Sequence, residues 1–416
     1  MPTSDENTFP CRATGDAAMA STSGKTPPLP RTLRAALLAA LLACATQAHA
    51  ADPFTIDVIL PLTGGASFLG KAEQQSLLQA EKELATTDGI HGRPVHFAFH
   101  DDQSSPQNAV QLATQLVGAH PPVILGSALV GMCNAMAPLM RNGPVLYCFS
   151  PGIHPAPGSY VFTSSASTRD LAAVQLRYFR LRGLDRIAII TSSDASGQDA
   201  QRNLKDLLAL PENKPLQLVA ETTFNPTDVS AAAQLQRFKG QNPQALIAWT
   251  TGAAVGTVLK AIVDAGLDVP VATTDGNMTY AQMAQYAAFL PRQLYIASPD
   301  WLETSHAADP EVAAAKAAFF TAFQGAPSQP DAASTYSWDP AMLVVSGLRA
   351  LPPGATATAL RDYLAHLKGF AGVNGTYDFP ATPQRGIDES NVVVTLWNPA
   401  HKTWDIVSQP RGVPLQ

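Results

Sequence analysis

Residues that could do chemistry are few in this sequence, and none of them forms a recognisable catalytic pattern. The chain has no Gly-x-Ser-x-Gly elbow, no Walker loop, no His-Glu-x-x-His and no Gly-x-Gly-x-x-Gly after a strand. His96 and His100 share one face of a predicted strand, but the sequence places neither a third ligand nor a carboxylate beside them. We therefore expect no catalysis, no metal and no bound cofactor, and a core or surface role for this histidine pair.

Cys133 and Cys148 form the other pair of reactive residues. Cys133 lies in the first turn after the third predicted strand and Cys148 ends the fourth, which places both at the carboxyl edge of a parallel sheet with strands about 4.8 Å apart. In an exported protein such a pair is more often bridged than free, and two unreactive buried thiols are the alternative. We predict a disulfide, which would close a loop of roughly 15 residues and contribute about 3 kcal/mol.

Residues 1–50 have the features of a leader. The first 30 residues show no apolar period, and Arg31 and Arg34 then precede an apolar run at 35–46 and the small residues Ala48 and Ala50. Residues 31–50 are therefore predicted to be a secretory signal peptide cleaved after residue 50, because the apolar run is too short to span a bilayer. Met19 is an alternative start. The sequence ending at Cys44 resembles a lipoprotein cleavage box, so a lipid anchor there is a second reading.

Length and composition exclude several classes of protein. The 416 residues exceed an ordinary single domain. A hydrophobic fraction of 46% and a charged fraction of 14% supply a large core and exclude a disordered chain. The formal net charge is −6 and no basic run occurs, so we expect no binding to nucleic acid.

Short apolar strands alternate with helices along residues 54–272. The predicted strands are 54–60, 95–99, 122–125, 144–147, 186–190, 216–220, 245–249 and 269–272, and the predicted helices are 71–86, 106–118, 131–141, 168–182, 197–208, 229–239 and 254–265. Continuously apolar strands separated by helices imply parallel sheets covered on both faces. Because this alternation of strands and helices occurs in two successive series, the sequence predicts an α/β protein with two doubly wound lobes.

The strand ends carry an ordered series of motifs. They are Pro61 to Gly64 with Gly70, Gly89 to Pro94, Asp101-Asp102 with Pro106, Gly126 to Gly131, Pro144 to Pro151, Thr191 to Gly197, Thr274 to Gly276 and Gly372 to Phe379. As an ensemble this series resembles the leucine/isoleucine/valine-binding family of periplasmic receptors, over nearly the whole chain after residue 50. The resemblance implies a type I periplasmic-binding fold, in which two Rossmann-like lobes are joined by three crossovers and close on a ligand.

The resemblance also implies lobe limits and a function. The first lobe would comprise residues 51–168 and 298–375, and the second residues 169–297 and 376–416. Such a protein captures a small molecule, here an amino acid, an aromatic acid or a related compound, and delivers it to an ABC permease in the inner membrane. We expect it to act as a monomer in the periplasm. The alternative is a periplasmic sensor of the same fold that feeds a signalling receptor, and an enzyme is a weaker reading.

Carried over to this chain, the family's ligand site falls on nine positions, and several of them depart from the family's pattern. The positions are Ser67, Phe68, Leu69, Val130, Gly152, His154, Ser196, Ala253 and Asp275. Val130 stands where a hydroxyl grips the ligand carboxylate, and His154 where a threonine assists it. Ser196 and Ala253 replace aromatic residues.

Asp275 is the position that keeps the family's chemistry, since it matches the acid that meets the ligand's ammonium group. The carboxylate clamp is half missing, so we expect that a standard branched-chain amino acid is not the best ligand and that a bulkier or differently substituted molecule fits better. Each assignment has a structural alternative: His154 as a solvated loop residue, Asp275 as a turn cap before glycine, and Phe68 as a core residue.

Overall fold

The structure, a computed structural model, describes residues 52–305 and 307–415. The predicted signal peptide and the lipid-anchor reading at Cys44 lie outside the described residues. Within the described part, the secondary structure is divided between two large sheets and a small hairpin.

The first sheet has five parallel strands in the order β2-β1-β3-β4-β5. These are β1 (Phe54–Leu60), β2 (Val95–Asp101), β3 (Val123–Gly126), β4 (Val145–Cys148) and β5 (Val161–Thr163), interspersed with helices α1 (Ser67–Leu84), α2 (Pro106–Val117) and α3 (Val130–Met136). Every residue of β3, β4 and β5 is buried. Burial on both faces explains why these strands are apolar throughout and do not alternate.

The second sheet has seven strands in the order β14-β13-β10-β9-β8-β6-β7. They are β6 (Arg186–Ser192), β7 (Gln217–Phe224), β8 (Ala245–Trp249), β9 (Val271–Thr273), β10 (Leu294–Pro299), β13 (Val392–Asn398) and β14 (Thr403–Ile406). The helices between them are α4 (Thr168–Leu181), α5 (Ala195–Leu208), α6 (Ala232–Lys239), α7 (Ala254–Asp264) and α8 (Tyr280–Tyr286). Strands β6 to β10 are parallel, whereas β13 is antiparallel to both β10 and β14.

Between β10 and β13 the chain returns to the first sheet. It forms α9 (Pro310–Ala322), α10 (Ala332–Ala350), α11 (Ala357–His366) and the hairpin of β11 (Lys368–Gly372) with β12 (Gly375–Asp378). Helix α10 packs on α1, where Ser76 Oγ donates to Ser334 O at 2.7 Å and Ser337 Oγ donates to Glu73 O at 3.1 Å. We call the first sheet with its helices and this returning segment the first lobe, and the second sheet with its helices the second lobe.

The predicted α/β fold with two parallel-sheet lobes is confirmed, and so is the order of elements along residues 54–272. Some helix boundaries differ from the prediction. Helix α1 begins at Ser67, four residues before the prediction. Helix α3 ends at Met136, and a 3₁₀ turn containing Pro138 follows it, because proline cannot continue the hydrogen-bond ladder. The three-residue strand β5 was not predicted, since three residues carry no period.

Among the described residues, no helix is both long enough and apolar enough to cross a lipid bilayer.

The predicted disulfide between Cys133 and Cys148 is present. Cys133 lies in α3 and Cys148 ends β4, with 6.1 Å between their Cα atoms, and both residues are fully buried. The bridge therefore ties the helix that follows β3 to the end of the neighbouring strand.

Removing this bridge is expected to destabilise the protein. Protein reduced under denaturing conditions and refolded in reductant should lose about 3 kcal/mol of unfolding free energy, because the unfolded chain regains the entropy of the closed loop. Urea titration with and without reductant measures the loss, and the Cys133→Ala/Cys148→Ala variant, which reductant should not affect, is the control. Equal intact mass before and after reduction would show that no bridge forms.

Candidate functional site

A small cavity of about 20 Å³ lies where the loops of the two lobes meet, with room for about one water molecule. Its lining is Leu69, Ala128, Leu129, Val130, Phe149, Ser150, Pro151, Gly152, Thr168, Ser196, Trp249, Thr251, Thr274, Gly276 and Tyr336. A larger cavity of about 500 Å³ shares four of these residues and extends to Ser104, Pro226 and Thr227. The two cavities together form a cleft between the lobes.

The cleft lies at the carboxyl ends of the parallel strands in both sheets. In the first lobe, the loops that follow β3 and β4 supply residues 128–130 and 149–152 to the lining. In the second lobe, the segments after β6, β8 and β9 supply Ser196, Thr251 and Thr274. Since parallel strands end at one edge of their sheet, this arrangement brings the two binding edges face to face.

Direct contacts hold the lobes together around the small cavity. Ala253 N donates to Gly65 O at 2.9 Å, and His154 Nε2 lies 2.8 Å from Asp199 Oδ1. Gly252 has a φ of +78°, and a Cβ atom there would lie 2.5 Å from Gly65 O, so the two loops can approach only with glycine at this position. The cleft is therefore closed.

Four of the nine sequence-predicted positions line the small cavity: Leu69, Val130, Gly152 and Ser196. They come from four separate segments of both lobes. A Cβ atom at Gly152 would lie 2.6 Å from Val130 Cγ2, so a larger residue at 152 would clash with Val130 in the same lobe. Ala253 lines only the larger cavity.

The other four predicted positions lie outside both linings. Ser67 and Phe68 begin helix α1, and the Phe68 ring packs edge-on against Tyr286 of the second lobe at 6.3 Å between centroids. The His154 side chain is 53% exposed and faces Asp199. Asp275 is fully buried behind the lining residues Thr274 and Gly276. The ligand-binding roles of all nine positions stay predictions.

Asp275 is held by hydrogen bonds from its chain neighbour and from a distant segment. Its Oδ2 accepts from Ser165 Oγ at 2.9 Å and its Oδ1 accepts from Thr274 Oγ1 at 3.0 Å. Burial raises the pKa of this carboxyl, and hydrogen bonds from Tyr336, Ser165 and Thr274 oppose the rise. A role as a turn cap explains only part of this arrangement, because Ser165 belongs to the segment that follows β5 and connects the first sheet to the second.

Sequence reasoning missed Glu73, which lies one helical turn after the lining residue Leu69. Glu73 is fully buried, and neither of its carboxylate oxygens has a hydrogen-bond partner. Its pKa is raised well above the usual value, chiefly by burial and further by the nearby acids Asp102 and Asp331. The available signal was the spacing: Glu73 stands on the helix face that also carries Leu69, Leu77 and Ala80.

Asp199 was also missed. It is 2% exposed on helix α5, and its Oδ1 accepts from both His154 Nε2 and Arg202 Nη2, the latter at 3.1 Å. Its Oδ2 is buried without a partner and lies 3.4 Å from the position of a Cβ atom on Gly152. Two buried acids with unpartnered oxygens therefore lie beside the closed cleft, one in each lobe.

His96 and His100 take part in separate surface pairs. His96 Nδ1 lies 3.3 Å from Glu81 Oε1, and His100 Nε2 lies 2.8 Å from Asp57 Oδ1. Across residues 52–305 and 307–415, no cluster of three or more His, Cys, Asp or Glu side chains could hold a metal ion.

Comparisons with known proteins agree on the kind of fold. A family model described as periplasmic binding protein matches residues 53–396. No curated protein sequence matches the chain.

Several solved structures are similar to this chain. The branched-chain amino acid transporter substrate-binding protein LivJ from Streptococcus pneumoniae, solved with isoleucine, is 19% identical with a TM-score of 0.71, over 86% of this chain and 99% of that one. An ABC-transporter solute-binding protein from Rhodopseudomonas palustris, solved with benzoate, is 20% identical with a TM-score of 0.71, over 87% and 97%. An extracellular ligand-binding receptor from the same species is 20% identical with a TM-score of 0.74, over 85% and 99%. At these identities the likeness shows the fold.

The Glu73→Gln change is expected to stabilise the protein increasingly as pH rises. Because the native carboxyl binds its proton more tightly than the unfolded one, the wild type loses stability as pH rises above about 4.5, by up to about 1.4 kcal/mol per pH unit until the raised pKa is passed. Glutamine keeps the shape of the protonated acid and does not titrate. Urea titrations at pH 4 and pH 8 measure the difference.

Glu83→Gln, on the exposed face of the same helix, is the matched control and should leave the pH dependence as in the wild type. The raised pKa of Glu73 would be wrong if Glu73→Gln destabilised the protein equally at both pH values.

Proposed function

This chain belongs to the periplasmic binding protein family, and we propose that it captures a small organic molecule between its lobes and delivers it to an ABC-type permease. Membership of this family confirms the resemblance to periplasmic receptors that the strand-end motifs indicated. The observation that carries the proposed function is the cleft at the facing carboxyl edges, which is lined by residues of both lobes and whose larger cavity, of about 500 Å³, has room for a small organic molecule. We propose further that the protein acts in the periplasm as a monomer, exported by the leader in residues 1–50, and that it catalyses no reaction.

The proposed mechanism is a shift between open and closed forms. A ligand that contacts both lobes gains more from the closed form than from the open one, and that difference moves the population toward closure. The contacts between Ala253 and Gly65 and between His154 and Asp199 then form around it. In this mechanism the permease would receive the closed form.

The lining favours a ligand with an apolar body and few polar groups. Six of the fifteen lining residues have large apolar or aromatic side chains: Leu69, Leu129, Val130, Phe149, Trp249 and Tyr336. Hydroxyl groups of serine and threonine supply the polar contacts, and the lining includes no Lys, Arg or His. Isoleucine and benzoate, each present in one of the similar solved structures, are two ligands of this kind. Since Val130 cannot donate to a carboxylate, we propose an aromatic acid or a related compound before a branched-chain amino acid.

We also propose the lobe limits given by the resemblance, residues 51–168 with 298–375 and residues 169–297 with 376–416. Sheet membership supports the assignment of β13 and β14 to the second lobe, and packing on α1 supports that of α10 to the first, while the limits at 298 and 375 fall within β10 and β12.

Thermal unfolding with a compound panel tests this function. The panel comprises branched-chain amino acids, benzoate and substituted aromatic acids, amides and short acyl compounds. A compound that binds the native state raises the unfolding midpoint, by the equivalent of about 2.7 kcal/mol at one hundred times its Kd. We expect an aromatic acid or a related compound to give the largest shift, and isoleucine a smaller one.

Variants then locate the binding site for the compound with the largest shift. Ser196→Tyr fills the cavity and should abolish the shift, whereas Ser230→Tyr, at an exposed serine of the same lobe, should keep it. Asp275→Ala and His154→Ala should reduce the shift. A panel without any shift would contradict the proposed function, and full binding by Ser196→Tyr would place the site elsewhere.

A further inference from the structure

Arg385 is a buried cation held by backbone carbonyl groups. The residue is 6% exposed, and burial lowers its pKa to about 10. Nη1 donates to Ser165 O at 2.9 Å and to Ser164 O at 3.4 Å, and Nη2 donates to Ile153 O at 2.8 Å and to Pro151 O at 3.1 Å. Burying a charge without a close carboxylate is costly, so these four hydrogen bonds must offset much of that cost.

The four carbonyls belong to two segments that bear on the cleft. One pair follows β5 in the first connection between the sheets, where Ser165 Oγ also donates to Asp275. The other pair belongs to the loop of residues 150–154 after β4, of which Ser150 to Gly152 line the small cavity. Arg385 thus joins the first connection to a wall of the proposed binding site.

Arg385 reaches both segments from the third connection, which runs between β12 and β13. Its neighbour Gln384 is fixed in the same place: Gln384 O accepts from Thr163 N at 2.9 Å, and its side chain bonds to Ser159 O at 3.0 Å and to Gly158 N at 3.1 Å. The two adjacent residues therefore bind the segments on either side of β5.

The chemistry of the loop explains why an arginine is needed. Residues 150–157 include Pro151, Pro155 and Pro157, which have no backbone N–H to donate, so buried carbonyls of this loop depend on donors from elsewhere. A guanidinium carries five N–H donors in a planar fork and can span two pairs of carbonyls, whereas a lysine ammonium offers donors from a single nitrogen.

We propose that Arg385 is a positioning residue of the cleft site. It fixes the 150–154 loop against the first connection, so that Ser150 to Gly152 form one wall of the cavity and His154 meets Asp199 across the closed cleft. The proposal rests on the proposed function, because the cavity is a binding site only if that function is right.

The Arg385→Lys variant tests this role, since it keeps the charge and loses the fork. Trp249 is 1% exposed and lines the same cavity as the loop, so its fluorescence reports whether the wall is in place. At a temperature far below unfolding, we expect acrylamide quenching of Trp249 to rise about threefold or more, and amide exchange across residues 148–165 to speed up about tenfold, because the loop opens locally. Subtracting the signal of the matching Trp249→Phe protein isolates the Trp249 component.

Arg177→Lys is the matched control. Arg177 also joins distant segments, through Glu389 and the Arg411 carbonyl, but away from the cavity. It should lower the unfolding midpoint at most and leave both cleft readouts unchanged. Wild-type quenching and exchange in folded Arg385→Lys would overturn the proposal, as would an equal change in Arg177→Lys, which would mark a general loss of stability.

If Arg385→Lys does not fold, NMR of arginine-labelled wild-type protein tests whether the Arg385 guanidinium makes these hydrogen bonds. Slowly exchanging Nη protons at Arg385 are expected, and an Arg385 guanidinium that exchanges as fast as the exposed Arg202 would refute the four hydrogen bonds. Neither measurement needs a ligand. A compound panel without binders would contradict the proposed function, and the accessibility of Trp249 would still test separately whether Arg385 positions the loop.

Discussion

The facing carboxyl edges of the two parallel sheets are the constraint on which the rest of the structure depends. Parallel strands deliver all their following loops to one edge, and connections that run back and forth between the sheets keep the two edges opposite each other. Residues far apart in sequence, such as Val130, Ser196 and Thr274, therefore line one cavity. The disulfide at Cys133 and Cys148 fixes one of these loops at its base.

Two buried acidic side chains beside that cavity, Glu73 in the first lobe and Asp199 in the second, have carboxylate oxygens without a hydrogen-bond partner in the described part of the protein. Stability is lost where buried polar groups lack hydrogen bonds. An open cleft that exposed such groups to solvent would recover part of that loss.

The sequence alone predicts those strands and helices that have a regular local pattern of apolar residues. Apolar runs such as those of β3 and β4 predicted buried strands, and the order of motifs at the strand ends led to the family. It was also sufficient for the disulfide, because both cysteines fall at one sheet edge. Glu73 and Arg385 could not be found in this way, since their importance comes from what packs around them. Arg385 stands in a loop without a periodic pattern, and its partners lie more than 200 residues away.

A crystal structure of the protein with the panel compound that gives the largest thermal shift tests the central claim most directly. The account predicts the compound between the lobes, in contact with Val130 or Gly152 on one side and with Ser196 or Trp249 on the other. A compound bound to one lobe alone, or at a site away from these residues, would contradict it.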